Sequence, residues 1–260
     1  MSQSTTTPSP EFKTETPESL QYSQSAGHSV LGITMARGGS VGVPRKNLRM
    51  VAGKELIRWT IEEARKCSLL TRYVVSTDDL EIRKIAEEYG AELEFMEPYS
   101  DGTNPLIERL QYVVKGLEGR GEKYDIVADI RCTNPIKTAD DIDSMILMLI
   151  DTGADVVCGV TRLEDHHPSR IKMMLPDKRL VDVWPEPKSG LRQDLTPDVY
   201  IRNGSVYVVR TEALMKGIHF SGGDIRGYEL PLERSLNIDS EFDLKVAEVM
   251  LDSRRDRVTA

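Results

Sequence analysis

The chain has few cysteines, and their spacing excludes several kinds of protein. Only Cys67, Cys132 and Cys158 occur among 260 residues, and no two of them form a C-x-x-C pair. This argues against a disulfide framework and a structural zinc site, and it fits a reducing compartment. Cys132 and Cys158 suit small core positions. No apolar run is long enough to cross a bilayer, so we expect a cytoplasmic protein with no membrane partner.

Basic residues are outnumbered by acidic ones. The chain has 34 Lys and Arg residues and 42 Asp and Glu residues, which gives a formal net charge of −8. This disfavours a nucleic-acid partner, and the basic residues that matter must act locally. At this length the chain can form one large α/β domain or two small ones with a substantial core.

Two well-known phosphate-binding patterns are also missing. The P-loop needs Gly-Lys-Ser/Thr, and here Lys46 is followed by Asn47. The dinucleotide fingerprint needs G-x-G-x-x-G, and Gly38, Gly39 and Gly42 do not have that spacing. The second absence disfavours a dehydrogenase.

A different glycine-rich loop is present, directly after an apolar run at 30–35 that predicts a buried strand. Glycines let backbone N–H groups approach phosphate oxygens and reach positive φ where a cradle requires it. Arg37 and Lys46 place positive charge at the two ends of the loop, and Pro44 restricts the path of the chain between them. The loop is either an anion-binding cradle or a glycine-rich turn with surface cations.

Apolar periodicity predicts alternating strands and helices over most of the chain. Strands are expected at 30–35, 73–77, 93–96, 125–130, 156–160, 205–210 and 228–232, with helices between most of them. Capping boxes are expected at Thr138 with Asp141 and at Ser240 with Asp243. This order predicts an α/β fold with a mostly parallel, Rossmann-like sheet, helices on both faces and ligand at the carboxyl ends of the strands.

The glycine-rich loop resembles the signature of the cytidylyltransferases that activate sialic acid and related acidic sugars. In that family the first strand runs into A-R-x-x-S-x-G-[ILV]-P-x-K-N. The matching residues are Ala36, Arg37, Ser40, Gly42, Val43, Pro44, Lys46 and Asn47. Eight matches in the expected context favour the functional interpretation over the simple turn.

Other blocks of this family's pattern recur along the chain. They lie at residues 75–78, 101, 131–138, 164–168, 192–193, 202–207 and 237–243. The resemblance implies a nucleotidyltransferase sheet and a Mg²⁺-dependent reaction in which CTP and an acidic sugar give the CMP-sugar and pyrophosphate. It also implies that the Pro-containing segment 161–196 is a hairpin arm that crosses to a second subunit, so a homodimer is expected.

The resemblance further implies domain bounds. We expect a disordered tail at 1–28, which is rich in Ser, Thr and Pro and lacks the apolar core of a signal peptide. The nucleotidyltransferase domain would cover 29–253, and 254–260 would be a C-terminal tail.

Roles for individual residues follow from the same resemblance. The nucleotide-binding set is Ala36, Arg37, Gly38, Gly39, Ser40, Lys46, Asn47, Ser76 and Asp101. The acceptor-binding set is Arg131, Thr133, Arg192, Gln193, Asn203 and Tyr207. Asp239 and Asn237 would hold Mg²⁺, which prefers oxygen ligands. Arg37, Lys46 and Asp239 would be catalytic, because positioning and charge neutralisation dominate such transfers.

Several of these residues have a structural alternative. Asp239 could only shape the start of the following helix, and Arg192, our candidate for the sugar's carboxylate, could form a surface or interface ion pair. The adjacent His166 and His167 point in divergent directions, which favours a structural or interface role over metal binding. Asp79 could simply cap a helix.

The chain also departs from the family pattern. Val41 stands where Lys is frequent, and Asn237 replaces the first Asp of the metal pair. Arg131 replaces a Gln that faces the sugar, and because it adds positive charge we expect an acidic acceptor other than ordinary sialic acid. Two further hypotheses stay open: another nucleotide or a sugar phosphate as substrate, and a non-catalytic nucleotide-binding relative.

Overall fold

The computed structural model describes residues 27–40, 42–93, 105–185, 187, 191 and 194–258. Some predictions fall outside these described residues. They concern the N-terminal segment up to residue 26, the end of the strand expected at 93–96, Val41, Asp101, Arg192 and Gln193.

The strands and helices alternate along the chain. The strands are β1 Val30–Met35, β2 Met50–Val51, β3 Lys54–Glu55, β4 Arg72–Ser76, β5 Glu92–Leu93, β6 Ile126–Ile130, β7 Val156–Arg162, β8 Lys172–Met174, β9 Leu180–Asp182, β10 Tyr200–Arg210 and β11 Ile225–Glu229. The helices are α1 Leu56–Ala64, α2 Leu80–Glu88, α3 Leu106–Glu118, α4 Ala139–Thr152, α5 Thr211–Met215 and α6 Glu241–Val258.

The central sheet has the order β11-β7-β10-β6-β1-β4-β5 in the described part of the chain. β1 pairs in parallel with both β6 and β4, β4 with β5, and β7 with β11. β10 runs antiparallel between β6 and β7. The prediction of a mostly parallel, Rossmann-like sheet is therefore confirmed.

Helices cover both faces of this sheet, as predicted. On one face, α4 packs Ile142, Met145, Ile146 and Leu149 against β6 and β10. On the other face, α3 packs Leu110, Val113, Val114 and Leu117 against β1 and β6. Both sets have the i, i+3, i+4, i+7 spacing of one helical face, and each buried aliphatic side chain contributes about 1.5–3 kcal/mol.

Both predicted capping boxes are present. Thr138 Oγ1 accepts from the N–H of Asp141, whose carboxylate accepts from the N–H of Thr138. The N–H and Oγ of Ser240 donate to Asp243 Oδ2, both at 2.8 Å, so that α6 begins at Glu241. α6 continues to Val258, past the boundary expected at 253.

Two strand predictions were wrong in their limits. β10 begins at Tyr200 rather than 205, because its pairing with β7 continues past an irregularity between Arg202 and Tyr207. β11 covers Ile225–Glu229 rather than 228–232. This edge strand lacks the apolar alternation on which the prediction depended, since it pairs with β7 alone among the described strands.

The segment between β7 and β10 contains the predicted hairpin. β8 and β9 pair antiparallel as a separate two-stranded sheet. In the described residues, none of the helices combines the length and the apolar character that a bilayer crossing demands.

Candidate active site

A pocket of about 440 Å³ opens where β1 and β6 end. The chain proceeds from β1 to β4 on one side and returns through β6 on the other, which makes this crevice a topological switch point of the sheet. Several of the predicted site residues line it, namely Arg37, Ser40, Lys46, Asn47, Arg131, Thr133 and Asp239. Met35, Gly42, Leu106, Arg109, Asp129 and Cys132 also line it.

The loop after β1 brings its two cations to the same pocket. Asn47 Nδ2 donates to the carbonyl oxygen of Arg37 at 3.1 Å, which joins the two ends of the loop. Lys46 Nζ donates to the carbonyl oxygen of Ile238 at 2.6 Å and lies 3.2 Å from Asp239 Oδ1. The loop and the segment before α6 thus form one charged wall.

Gly42 permits this contact between distant parts of the chain. A Cβ at this position would lie 2.4 Å from the backbone oxygen of Asp239. Any side chain at residue 42 would therefore displace the segment that carries the carboxylate.

The carboxylate of Asp239 faces the pocket and does not cap α6, for which Ser240 and Asp243 suffice. Its side chain is 70% exposed, Oδ1 contacts Lys46, and Oδ2 accepts a hydrogen bond from Asn237 Nδ2. This is a single carboxylate beside an amide whose nitrogen is turned towards it. Such a set fits Mg²⁺, which binds to one or two carboxylates together with substrate phosphates, although Asn237 can contribute its oxygen only with the amide reversed.

A second wall of the pocket is formed around Asp129 and Arg131. Arg131 Nε donates to Asp129 Oδ2 at 3.1 Å, and the guanidinium lies over the ring of Tyr207. His219 Nε2 lies 3.5 Å from the same carboxylate. Burial alone would raise the pKa of Asp129, but the charge of Arg131 and the contact with His219 hold that pKa below its usual value. Asp129 therefore offsets the positive charge expected from Arg131.

A buried lysine, Lys137, anchors the turn that carries Arg131 and Thr133. Lys137 Nζ donates to Thr60 Oγ1 at 2.8 Å and to the carbonyl oxygens of Arg131 and Asn134, both at 2.7 Å. The Lys137 side chain is 1% exposed, and burial lowers its pKa to about 8. Lys137 therefore connects α1 to the turn that carries Arg131 through three hydrogen bonds.

Other predicted nucleotide-binding residues surround the loop after β1. The N–H of Ala36 donates to the carbonyl oxygen of Ser76 at 2.9 Å, and both residues are buried. The N–H of Gly38 donates to Asp78 Oδ1 at 2.8 Å, so this amide is directed at a carboxylate rather than at the pocket. Gly39 is exposed. Asp101 lies outside the described residues.

Of the predicted acceptor-binding residues, Asn203 and Tyr207 are buried and contact neighbouring protein groups. Asn203 is buried, with Nδ2 donating to Thr161 Oγ1 at 3.1 Å and Oδ1 accepting from the N–H and Oγ of Ser205. These bonds stabilise the irregular part of β10. Tyr207 is 4% exposed and supports Arg131 with its ring. Arg192 and Gln193 lie outside the described residues.

Two structural alternatives from the sequence are supported. His167 is buried, with Nδ1 bonded to Ser169 Oγ at 2.8 Å and Nε2 to the carbonyl oxygen of Pro197 at 3.0 Å. Asp79 accepts from the N–H groups of Glu81 and Ile82 and so caps α2. The cysteines are free thiols, and Cys132 and Cys158 are buried, as predicted.

Sequence reasoning missed Arg109, Asp129, His219 and Phe220. Asp129 had a detectable signal, because it is a charged residue inside an otherwise apolar strand that the sequence predicted. Arg109 lies on the helix of a predicted amphipathic pattern, where an Arg is ordinary. His219 and Phe220 follow α5 and gave no local signal, since only the fold brings them to β6.

Comparison with known proteins identifies the family to which the chain belongs. The family model described as cytidylyltransferase matches residues 31–215. The chain belongs to the cytidylyltransferase family. N-acylneuraminate cytidylyltransferase A from Danio rerio is 29% identical over 226 residues, which cover 84% of this chain and 50% of that protein. Pseudaminic acid cytidylyltransferase from Campylobacter jejuni is 28% identical over 223 residues, covering 85% of this chain and 95% of that protein.

This cytidylyltransferase chain spans about half the length of the Danio rerio relatives that it matches. Among solved structures, a CMP:2-keto-3-deoxy-manno-octonic acid synthetase complexed with CTP superposes with a TM-score of 0.64 and 17% identity. The superposition covers 87% of this chain and 99% of the other. That likeness confirms the nucleotidyltransferase fold.

Proposed function

We propose that this cytidylyltransferase activates an acidic, nonulosonic-type sugar with CTP. A hydroxyl oxygen of the sugar attacks the α-phosphorus, the bond from that phosphorus to the bridging oxygen breaks, and the CMP-sugar and pyrophosphate are released with loss of the hydroxyl proton. The observation that carries the proposal is the convergence of Arg37, Lys46 and Asp239 on one pocket at the end of β1. Relatives named for acylneuraminate and pseudaminic acid support the acceptor class.

The location of Arg37 and Lys46 in the lining of one pocket supports the proposal. Lys46 contacts the carbonyl oxygen of Ile238 and the carboxylate of Asp239. The Asp239 side chain is 70% exposed and that of Lys46 is 13% exposed, so a triphosphate can replace the solvated carboxylate as the partner of Lys46. Arg37 lines the same cavity and supplies a second full charge. Most of the acceleration then comes from positioning and charge neutralisation.

We also propose Mg²⁺ as the cofactor, held by Asp239 with Asn237 as a neutral oxygen donor. When bound there, the ion would neutralise charge on the triphosphate. Asp239 fits this role because its carboxylate is exposed at the pocket and, among the residues that the structure describes, contacts the side chains of Lys46 and Asn237.

Pyrophosphate release tests the proposed function. Each of the four nucleoside triphosphates is offered with a panel of nonulosonic acids and sugar phosphates, with Mg²⁺ or with a chelator. We expect release only with CTP, a nonulosonic acid and Mg²⁺. Release with another nucleotide or with a sugar phosphate contradicts the proposed substrates. CTP binding without product under any metal favours the non-catalytic alternative.

The β8–β9 hairpin supports a homodimer as part of the same proposal. Its exposed apolar residues are Ile171 (47% exposed), Met173 (55%), Met174 (61%), Leu180 (59%), Val183 (56%) and Trp184 (49%). So many exposed apolar side chains on one short hairpin are typical of an interaction site, and a second copy of the chain would cover them. The free thiols also support a reducing, cytoplasmic location.

The dimer is tested by the molar mass in light scattering. Met173→Glu with Trp184→Glu places two charges on the hairpin, and we expect a dimeric wild type to become monomeric. Val249→Glu is the matched control, since Val249 is also exposed (71%) but lies on α6. A monomeric wild type, or a double variant that stays dimeric, contradicts the proposal.

A further inference from the structure

One wall of the pocket holds a charge pair that the triphosphate chemistry does not use. Asp129 lies near the end of β6 and lines the pocket, with a side chain that is 1% exposed. Its Oδ2 accepts a hydrogen bond from Arg131 Nε at 3.1 Å. Because the carboxylate and the guanidinium have opposite charges, the pair presents no net charge to a ligand.

Two polar atoms of this pair have no hydrogen-bond partner among the described residues. Asp129 Oδ1 and Arg131 Nη2 are buried, and neither makes a hydrogen bond to any residue that the structure describes. Buried polar atoms are nearly always hydrogen-bonded, and leaving one unpaired is unfavourable. An unpaired acceptor and an unpaired donor, on two hydrogen-bonded side chains that line one pocket, point to a ligand group with the complementary pair.

The donor is held in a defined position. The guanidinium carbon of Arg131 lies 4.6 Å from the ring centroid of Tyr207 and 5.2 Å from that of Phe220. Together with the bond from Nε to Asp129, these cation–π contacts restrict the rotation of the side chain. Preorganised polar groups of this kind fix the orientation of a small ligand in its pocket.

We propose that Asp129 and Arg131 together recognise a neutral substituent of the acceptor that both donates and accepts hydrogen bonds, namely an acylamino or a hydroxyl group. Its N–H or O–H donates to Asp129 Oδ1, and its oxygen accepts from Arg131 Nη2. Asp129 is then a specificity-determining residue, because it cancels the charge that Arg131 would otherwise offer to a carboxylate. The inference rests on the proposed function, since it concerns the acceptor of that reaction.

The wild-type protein provides the first test. Pyrophosphate release with CTP is measured for matched nonulosonic acids that differ at one ring position at a time, where they carry an acylamino, hydroxyl, hydrogen, ammonium or carboxylate group. At one position we expect kcat/KM to fall by about 10- to 100-fold when the neutral donor–acceptor group is replaced by hydrogen or a charged group. Comparison of the acylamino acceptor with the hydroxyl acceptor shows which of these two groups the pair recognises.

The variant Asp129→Asn provides the second test, because it keeps the shape of the side chain and removes its charge. We expect KM for the preferred acceptor to rise about tenfold, while KM for CTP stays within about twofold. The carboxylate-bearing acceptor should gain relative to the others, since Arg131 is no longer neutralised. Asp125→Asn is the matched control: Asp125 precedes the same strand at its opposite end and bonds to Ser29.

Each outcome decides the inference. Turnover with an unchanged acceptor ranking in Asp129→Asn overturns it, and so does a wild type that prefers a charged substituent at every position. If Asp129→Asn does not fold, the acceptors are ranked with the double variant Asp129→Asn, Arg131→Gln, in which both charges are removed. If the double variant also fails to fold, the acceptor ranking of the wild type decides. No turnover of any acceptor by the wild type overturns the proposed function, and the inference falls with it.

Discussion

The two walls of the pocket differ in how exposed their charged side chains are. On the side proposed for the nucleotide, Lys46 pairs with Asp239, and their side chains are 13% and 70% exposed. On the side proposed for the acceptor, Asp129 and Lys137 are each 1% exposed, and both are engaged in buried networks. The first wall has charges that can regroup around a highly charged ligand, whereas the second has polar atoms whose positions are set in advance.

This difference sets which contacts a ligand can replace. The solvated carboxylate of Asp239 contributes little to an ion pair, about 0–1 kcal/mol, so phosphate contacts can replace it. Removing one member of the pair between Asp129 and Arg131, which are 1% and 27% exposed, is more unfavourable, up to about 3–5 kcal/mol, because the remaining charge is left without a partner. We therefore expect changes on the nucleotide side to alter turnover, and changes on the acceptor side to alter stability and selectivity.

The largest expected effect is on the nucleotide side. Lys46→Met removes a full charge from the pocket, and turnover should fall about 10²- to 10³-fold, as when one preorganised donor to a developing anion is lost. Pyrophosphate release and CTP titration calorimetry measure turnover and binding separately. The free energy of unfolding should fall by about 1 kcal/mol, because the change also removes the partly buried hydrogen bond from Lys46 Nζ to the carbonyl oxygen of Ile238.

The neighbouring Arg45→Gln is the matched control for this change. Arg45 has a positive φ of 52° and pairs with Asp79 and Glu81, outside the pocket lining. We expect turnover close to that of the wild type. Equal losses in Arg45→Gln and Lys46→Met, or no loss in either, would show that the proposed triphosphate site is in the wrong place.

The second prediction concerns stability on the acceptor side. Lys137→Met leaves Thr60 Oγ1 and two carbonyl oxygens without their donor, and the free energy of unfolding should fall by about 2–3 kcal/mol. Urea denaturation at pH 7 measures it. Lys123→Met changes a Lys that lies just before β6 and serves as the control, for which a change below about 0.5 kcal/mol is expected.

The third prediction is the pH dependence of that contribution. Burial lowers the folded-state pKa of Lys137 to about 8, from the ordinary value of 10.5. Between these two values the unfolded chain binds more protons than the folded chain, so this group makes stability rise with pH from 8 to 10.5, by at most about 3 kcal/mol. Below pH 8 both states are protonated and the slope vanishes.

Comparison of the wild type with Lys137→Met isolates this slope. Urea denaturation at pH 7.5, 8.5 and 9.5 should show that the stability difference between the two proteins increases with pH. A constant difference over this range would mean that Lys137 remains charged in the folded protein.

The smallest expected effect concerns Mg²⁺. Asp239→Asn should raise the Mg²⁺ concentration for half-maximal turnover about tenfold, whereas Asn237→Asp should lower it, because a second carboxylate strengthens a Mg²⁺ site. Turnover as a function of Mg²⁺ measures both. The same midpoint in all three proteins would remove Asp239 and Asn237 from the proposed metal site and leave its location open.

The parts of the fold that local patterns encode were predictable. The strand at Val30–Met35, the capping box at Thr138 and the one at Ser240 agree with the structure, because each depends on residues within a few positions of one another. The limits of β11 were not predictable, since a solvent-exposed edge strand need not alternate apolar and polar residues.

The chemical character of the acceptor wall was not predictable from its own segment. Arg131 alone indicated an added positive charge, but the structure pairs it with Asp129 two positions earlier and places His219 against the same carboxylate. Alternation along a strand would direct residues 129 and 131 to the same side, so part of this pairing was accessible. The contribution of His219 was not, because the segment after α5 has no pattern that relates it to β6.

Short-range periodicity and spacing were enough to infer the order of most strands and helices, the glycine-rich loop after the first strand and the family resemblance that the comparisons confirm. The folding of the whole chain brings Lys46 into contact with Asp239, 193 positions away. It also places His219 3.5 Å from the carboxylate of Asp129, which neutralises Arg131. Net charge and hydrogen-bond capacity in a pocket depend on which side chains are packed together, and the packing of the whole sheet settles that.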